Sequence, residues 1–214
     1  MRLRRSLPNV LTLARVVLAT GMFAALALMP GPIAERADAD QRLYLVTAAI
    51  LFILAAATDA LDGNLARRWN VVSRFGRVMD PFADKLLILG SFCMLAGPPF
   101  TVEVDAGLHQ VSGVAPWVAV IVLARELLVT SIRAVAETEG VDFSAVGIGK
   151  LKMVAQSFAI PVILLGLAFG DLAPGAAWPV ALMVIAWVTA GVTAASGIPY
   201  IIRSVRLLRP TEVA

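Results

Sequence analysis

"TDALDGNLARRWNVVSRFGRVMDPFADKLL", residues 58–87, sets four aspartates and five cationic side chains between two of the most apolar stretches of the chain. Carboxylates at the edge of a membrane span are costly, so Asp59, Asp62, Asp80 and Asp84 ask for a chemical reason. Asp59 and Asp62 stand three residues apart, Asp80 and Asp84 four apart. On helices both spacings place the side chains on one face, about one turn from each other. With the two helices as antiparallel neighbours joined by a short connection, both pairs face each other at the same depth.

The rest of the chain fits a membrane setting. Of 214 residues, 59% are hydrophobic and 15% charged, and the mean hydropathy is +0.85. A soluble domain is about 45–50% apolar and about 25% charged. A span needs about 20 mostly apolar residues, and six stretches qualify: 9–29, 43–62, 80–98, 115–136, 153–170 and 178–201. The expected fold is an all-α integral membrane protein, a six-transmembrane-helix bundle. Residues 1–8 form a basic interfacial leader, 9–204 the transmembrane catalytic domain and 205–214 a cytoplasmic tail. "MRLRR" before an apolar run has the shape of a signal peptide, but Arg15 interrupts that run, so it reads as the first span.

With the N-terminus inside, the inner ends collect Arg2, Arg4, Arg5, Arg15, Arg67, Arg68, Arg74, Arg77 and Lys85. They also hold Arg125, Arg133, Lys150, Lys152, Arg203, Arg206 and Arg209, leaving only Arg36 and Arg42 outside. This asymmetry puts both termini and the aspartates on the cytoplasmic side of an inner, cytoplasmic membrane. The lone Cys93 sits in an apolar run and reads as a buried structural thiol. His109, the only histidine, falls in a polar loop, which disfavours histidine-based triads and metal sites.

Four clustered carboxylates repel one another, and a plain reading gives them salt bridges to nearby arginines in headgroup water. The paired spacing asks for a more specific counter-charge. Hard oxygen donors without histidine or cysteine suit Mg²⁺ or Mn²⁺. Four carboxylates can hold two such ions about 3.5–4 Å apart, an arrangement that serves in-line displacement at phosphorus. Gly63 leaves room beside Asp62, Arg67 offers a planar fork for phosphate oxygens, and Gly76 opens space before Asp80.

The pattern D-x2-D-G-x2-A-R-x8-G-x3-D-x3-D fits Asp59, Asp62, Gly63, Ala66, Arg67, Gly76, Asp80 and Asp84 without gap or substitution. It resembles the signature of the CDP-alcohol phosphotransferase family, which is built on six transmembrane helices and acts on the cytoplasmic side. The resemblance implies that Asp59, Asp62 and Asp80 hold one metal ion, and Asp80 and Asp84 a second. Asp84 would also be the general base that takes the acceptor's proton. Asp62, Gly63, Arg67 and Ser73, with Gly76 beside them, would contact the CDP-linked donor. The resemblance also implies a homodimer, with no nucleic-acid partner.

Three further stretches, "LPNVLTLAR" (7–15), "ARELLVTSIR" (124–133) and "GIGKLKMV" (147–154), resemble family members that use CDP-diacylglycerol and glycerol 3-phosphate. Such members give phosphatidylglycerophosphate and CMP. Met153 departs from the threonine expected there. An anionic acceptor needs cations beyond those on the diphosphate: Arg125 and Arg133, eight apart on one helix, and Lys150 and Lys152 are the candidates, together with Arg15. The alternatives are topology-setting charges for the lysines and a structural pair with Glu126 for Arg125. Asn9, Thr12 and Arg15 form a polar stripe; the resemblance puts Asn9 and Thr12 at the donor site, while a helix cap and a snorkelling arginine are the plainer reading. Inositol phosphate and phosphatidylglycerol are rival acceptors within the family. A divalent-cation transporter would place acids at mid-membrane or on both sides, whereas here the aspartates gather on one.

Overall fold

The computed structural model describes residues 2–33, 35–69, 74–104, 107–140, 147–173 and 175–207, with side chains described within 9–59, 79–103, 107–140, 149, 151–173 and 175–205. Seven helices follow in order: α1 Arg2–Ala27, α2 Ala39–Trp69, α3 Arg74–Leu95, α4 Pro116–Thr138, α5 Gly147–Phe169, α6 Ala177–Ala195 and α7 Ile198–Leu207. Between α3 and α4 a short hairpin pairs β1 Thr101–Val104 with β2 Gly107–Gln110 in antiparallel register. The hairpin departs from the all-α expectation. Its four-residue strands lie at the end of the bundle.

Four helical segments are long and apolar enough to cross a membrane: Asn9–Ala27, Ala39–Asp59, Leu151–Phe169 and Ala177–Val205. The chain is thus a multi-pass membrane protein. α3 and α4 fall outside this group for a simple reason. Every 18-residue window of α3 contains Asp80, Asp84 and Lys85, and every such window of α4 contains Arg125, Glu126 and Arg133.

Several boundaries differ from expectation. α2 runs on to Trp69, past the expected end at 62, so Gly63 and Arg67 continue the helix that carries Asp59 and Asp62. α3 starts at Arg74, before the expected 80, so Pro81 lies inside the helix. The last apolar stretch is broken after Ala195, where Ser196 and Gly197 separate α6 from α7. The basic leader is continuous with α1.

The packing order also differs from chain order. Among the described residues α2 and α3 share few contacts; α1 packs against both, α2 packs on α5, and α4 packs on α3 and α6. Met22 and Leu26 of α1, Phe52 of α2, Phe92 of α3 and Ile163 of α5 are fully buried in one core. Cys93, expected to be buried, is exposed.

At the end away from the aspartates, three loops close on one another. The Ile33 amide donates to the Pro99 carbonyl at 3.2 Å and the Leu172 amide to the Glu35 carbonyl at 2.8 Å. Arg36 Nη2 lies 2.8 Å from Asp171 Oδ2. The Arg36 hydrogen bond, helped by the Ala173 amide, holds the Asp171 carboxyl below the usual carboxylate range.

Gly113, in the turn before α4, has φ +71°, and a Cβ there would meet the Met183 amide nitrogen of α6 at 2.4 Å. Gly140 shares the left-handed conformation, φ +70°, with open space around it. Gly140→Ala is expected to cost only the backbone term of about 1–2 kcal/mol. Gly113→Ala should cost more, because rigid backbone has to move. Thermal unfolding in detergent checks this; equal Tm shifts for the two variants would contradict it.

Candidate active site

The aspartate-bearing end of the bundle is organised by α1. Thr12 Oγ1 donates to Asp80 Oδ1 on α3, and Arg15 Nη1 lies 2.8 Å from Asp59 Oδ1 on α2. Thr12 and Arg15 are three residues apart, hence on one face, and both are buried, Arg15 to 1% exposure. One helix face therefore fixes two aspartates that come from different helices. Arg15, placed by the sequence among candidate acceptor ligands, here offsets the charge of Asp59. Asn9, a turn before Thr12, is half-buried.

Asp84 lies one turn beyond Asp80 on α3, within electrostatic reach of Asp59, Arg15, Lys152 and Glu126. It opens onto a cavity of about 80 Å³ between α3, α4 and α5. The polar lining comes from Asp84, Lys85, Glu126, Lys152 and Gln156, with Gly149 among the wall residues. Lys85 Nζ donates to Thr130 Oγ1 at 2.6 Å, tying α3 to α4. Lys152 Nζ pairs with Glu126 Oε1, tying α5 to α4. Glu126 Oε1 also accepts from Arg125 Nη1 at 3.1 Å, and Arg125 Nε donates to Ser196 Oγ at 2.9 Å.

The candidate residues divide as follows. Thr12, Arg15, Asp59, Asp80 and Asp84 share the inner end of α1–α3, and Lys152 faces the same cavity as Asp84. Arg125 is buried behind that cavity, among its lining only through Glu126. Arg133 is exposed two turns further along α4, with no ion pair among the described residues. Asp62, Gly63 and Arg67 on α2, Gly76 on α3 and Lys150 on α5 have helical backbone, but their side-chain surroundings lie outside the described residues. Ser73 lies outside them altogether.

Sequence reasoning left Lys85 and Glu126 out of the site. Both are charges inside apolar helices, which was the available signal. Their partners, 45 and 26 residues away in the chain, were not readable.

Among the described residues no three acidic, histidine or cysteine side chains stand close enough to hold a metal. The donor chemistry nevertheless fits a hard dication. Arg15 and Thr12 use one oxygen each of Asp59 and Asp80, and the second oxygens have no partner among the described residues. Asp59, Asp80 and Asp84, with Asp62 on the adjoining turn, are the residues that would hold it.

The chain belongs to the CDP-alcohol phosphatidyltransferase family, whose sequence profile it matches over residues 5–193. Members of that family generally use a divalent metal. The CDP-diacylglycerol–glycerol-3-phosphate 3-phosphatidyltransferase of Bacillus subtilis is 35% identical over 163 residues, 75% of this chain and 77% of that protein. The protein of the same name from Rickettsia felis is 31% identical over 166 residues, 78% of each chain. A probable phosphatidylglycerophosphate synthase of Mycobacterium tuberculosis is 33% identical over 201 residues, 94% of this chain and 82% of its own length.

The Arg15–Asp59 pair separates two kinds of aspartate. Asp59→Asn leaves a buried guanidinium without its counter-charge, at a cost of about 1–3 kcal/mol. Thermal unfolding should therefore show a lowered Tm for Asp59→Asn, and recovery of part of it when Arg15→Met is added. A Tm unchanged in Asp59→Asn would mean that the pair carries no stability.

Proposed function

We propose that this protein transfers a phosphatidyl group from CDP-diacylglycerol to glycerol 3-phosphate, giving phosphatidylglycerophosphate and CMP in phospholipid biosynthesis. The reading rests on one juxtaposition: Asp84 of α3 and Lys152 of α5 line the same cavity, beside aspartates held at the inner ends of α2 and α3. The names of the relatives support the same donor and acceptor. In this reading all of α1 to α5, with α6 and α7 together, make six spans. Both termini face the cytoplasm, as the distribution of lysine and arginine favours, and the protein works as a homodimer in the inner membrane.

The donor's diphosphate would lie over Asp59, Asp62 and Asp80, with Gly63, Arg67, Ser73 and Gly76 around the CDP moiety and Asn9 and Thr12 on the α1 side. One or two Mg²⁺ or Mn²⁺ ions held by the four aspartates would neutralise that diphosphate when bound. Asp84 takes the proton of the acceptor hydroxyl as its oxygen attacks the lipid-linked phosphorus. The new P–O bond forms as the bond to the CMP phosphate breaks, and CMP leaves with that electron pair. Thr12 and Arg15 hold Asp80 and Asp59 in place through this exchange. Lys152, with Lys150, Arg125 and Arg133, supplies the positive field for the acceptor's phosphate, and Arg15 adds to it from α1.

Purified protein supplied with CDP-diacylglycerol and, in turn, glycerol 3-phosphate, inositol phosphate and phosphatidylglycerol tests the acceptor directly; CMP release with either of the latter alone would overturn it. Asp84→Asn should abolish turnover in a protein that remains folded and inserted, and near-normal activity in that variant would remove Asp84 as the base. Lys152→Ala and Arg133→Ala should raise KM for glycerol 3-phosphate more than KM for the donor, and equal changes in both constants would argue against an acceptor-phosphate role.

A further inference from the structure

We infer that Glu126 is a positioning residue for acceptor binding: it holds the Lys152 ammonium on the wall of the Asp84 cavity, and is itself held by Arg125 and Ser196. This deepens the proposed function and rests on its assignment of Lys152 to the acceptor phosphate.

A carboxylate is an unexpected lining for a cavity that takes an anion. Glu126 is only 8% exposed, and its Oε1 is shared by two cations, Arg125 from its own helix and Lys152 from α5. Two positive groups against one negative leave the trio with one net positive charge. The carboxylate thus does not cancel the field that an anionic acceptor needs. Lys152 lies among Ile88, Leu89 and Met153, where an unpaired ammonium would be costly. An ammonium has three donors. With one committed to Glu126, two remain for a phosphate, so the acceptor binds without breaking the pair.

The anchor of this arrangement lies outside the cavity. Arg125 Nε donates to Ser196 Oγ, which in turn donates to the Thr193 carbonyl at 2.6 Å. The guanidinium sits 5.9 Å from the centroid of the Tyr200 ring. Ser196 occupies the break between α6 and α7, so the chain of contacts runs from that break through α4 to α5. Lysine side chains lose much rotamer freedom when fixed; holding Nζ in advance removes that cost from acceptor binding.

The two roles open to Glu126 predict opposite signs. If it only tuned charge, Glu126→Gln would add net positive charge and lower KM for the anionic acceptor. As a positioning residue, Glu126→Gln raises KM for glycerol 3-phosphate about tenfold, leaves KM for CDP-diacylglycerol unchanged, and adds nothing when combined with Lys152→Ala. Glu126→Asp, which keeps the charge, should recover part of the loss. Ser196→Ala, outside the cavity, should give a smaller rise of about two- to threefold with the same acceptor-only pattern. A lowered or unchanged acceptor KM in Glu126→Gln overturns the inference, as do multiplicative effects in the double variant. An unchanged acceptor KM in Lys152→Ala overturns it together with the role of Lys152. If wild-type protein uses a different phosphorylated alcohol, the assignment of glycerol 3-phosphate fails, and the same comparison made with that alcohol still decides Glu126.

Discussion

The site depends on a single constraint, the insertion of one polar helix face between two carboxylate-bearing helices. Among the described residues α2 and α3 share few contacts, and like charges on them would drive the two helices further apart. Thr12 and Arg15 of α1 give each helix something to hold: a hydroxyl for Asp80 and a guanidinium for Asp59. A buried arginine is tolerated there only because a carboxylate meets it, and the carboxylate is restrained by the same contact. Each charge is the reason the other can be where it is. The second tie, from Lys152 through Glu126 to Arg125, solves the same problem on the opposite wall of the cavity with the signs reversed.

These pairings explain how α3 and α4 carry charges through the middle of apolar helices. Asp80, Lys85 and Glu126 are turned toward α1, α4 and α5 respectively. Lys85 reaches Thr130, and Glu126 reaches Lys152. Lipid-facing positions on the same helices, such as Cys93, Leu123 and Leu127, are exposed and apolar. A hydropathy average counts the inward charges against the helix, although in the folded protein they meet each other.

Much of this was readable from residue order. The spacing of Asp59, Asp62, Asp80 and Asp84 pointed to helix faces, and each long apolar run became helical close to where it was expected, the last of them in two pieces. What escaped reading was whatever depends on neighbours distant in sequence. Sequence adjacency paired α2 with α3, but it did not show that α1 packs against both of them. The second span was expected to end at 62, yet the helix continues to Trp69, because polar residues lose nothing by remaining helical. Cys93 was misplaced because core and lipid-facing positions are equally apolar, so composition cannot separate them. Glu126 looked like a local partner of Arg125, and only the fold, which brings Lys152 of α5 within reach, gave it a second cation.

The length of α2 carries a consequence for how a lipid is handled. At 1.5 Å per residue, its 31 residues span about 46 Å, against about 30 Å of hydrocarbon. Asp59, twenty residues from the helix start, falls about 30 Å along, about one hydrocarbon thickness from that start. Fatty tails can therefore stay in their leaflet while the headgroup reaches carboxylates standing in water. No extraction step is required, and a soluble partner can arrive from the aqueous side without ever crossing oil.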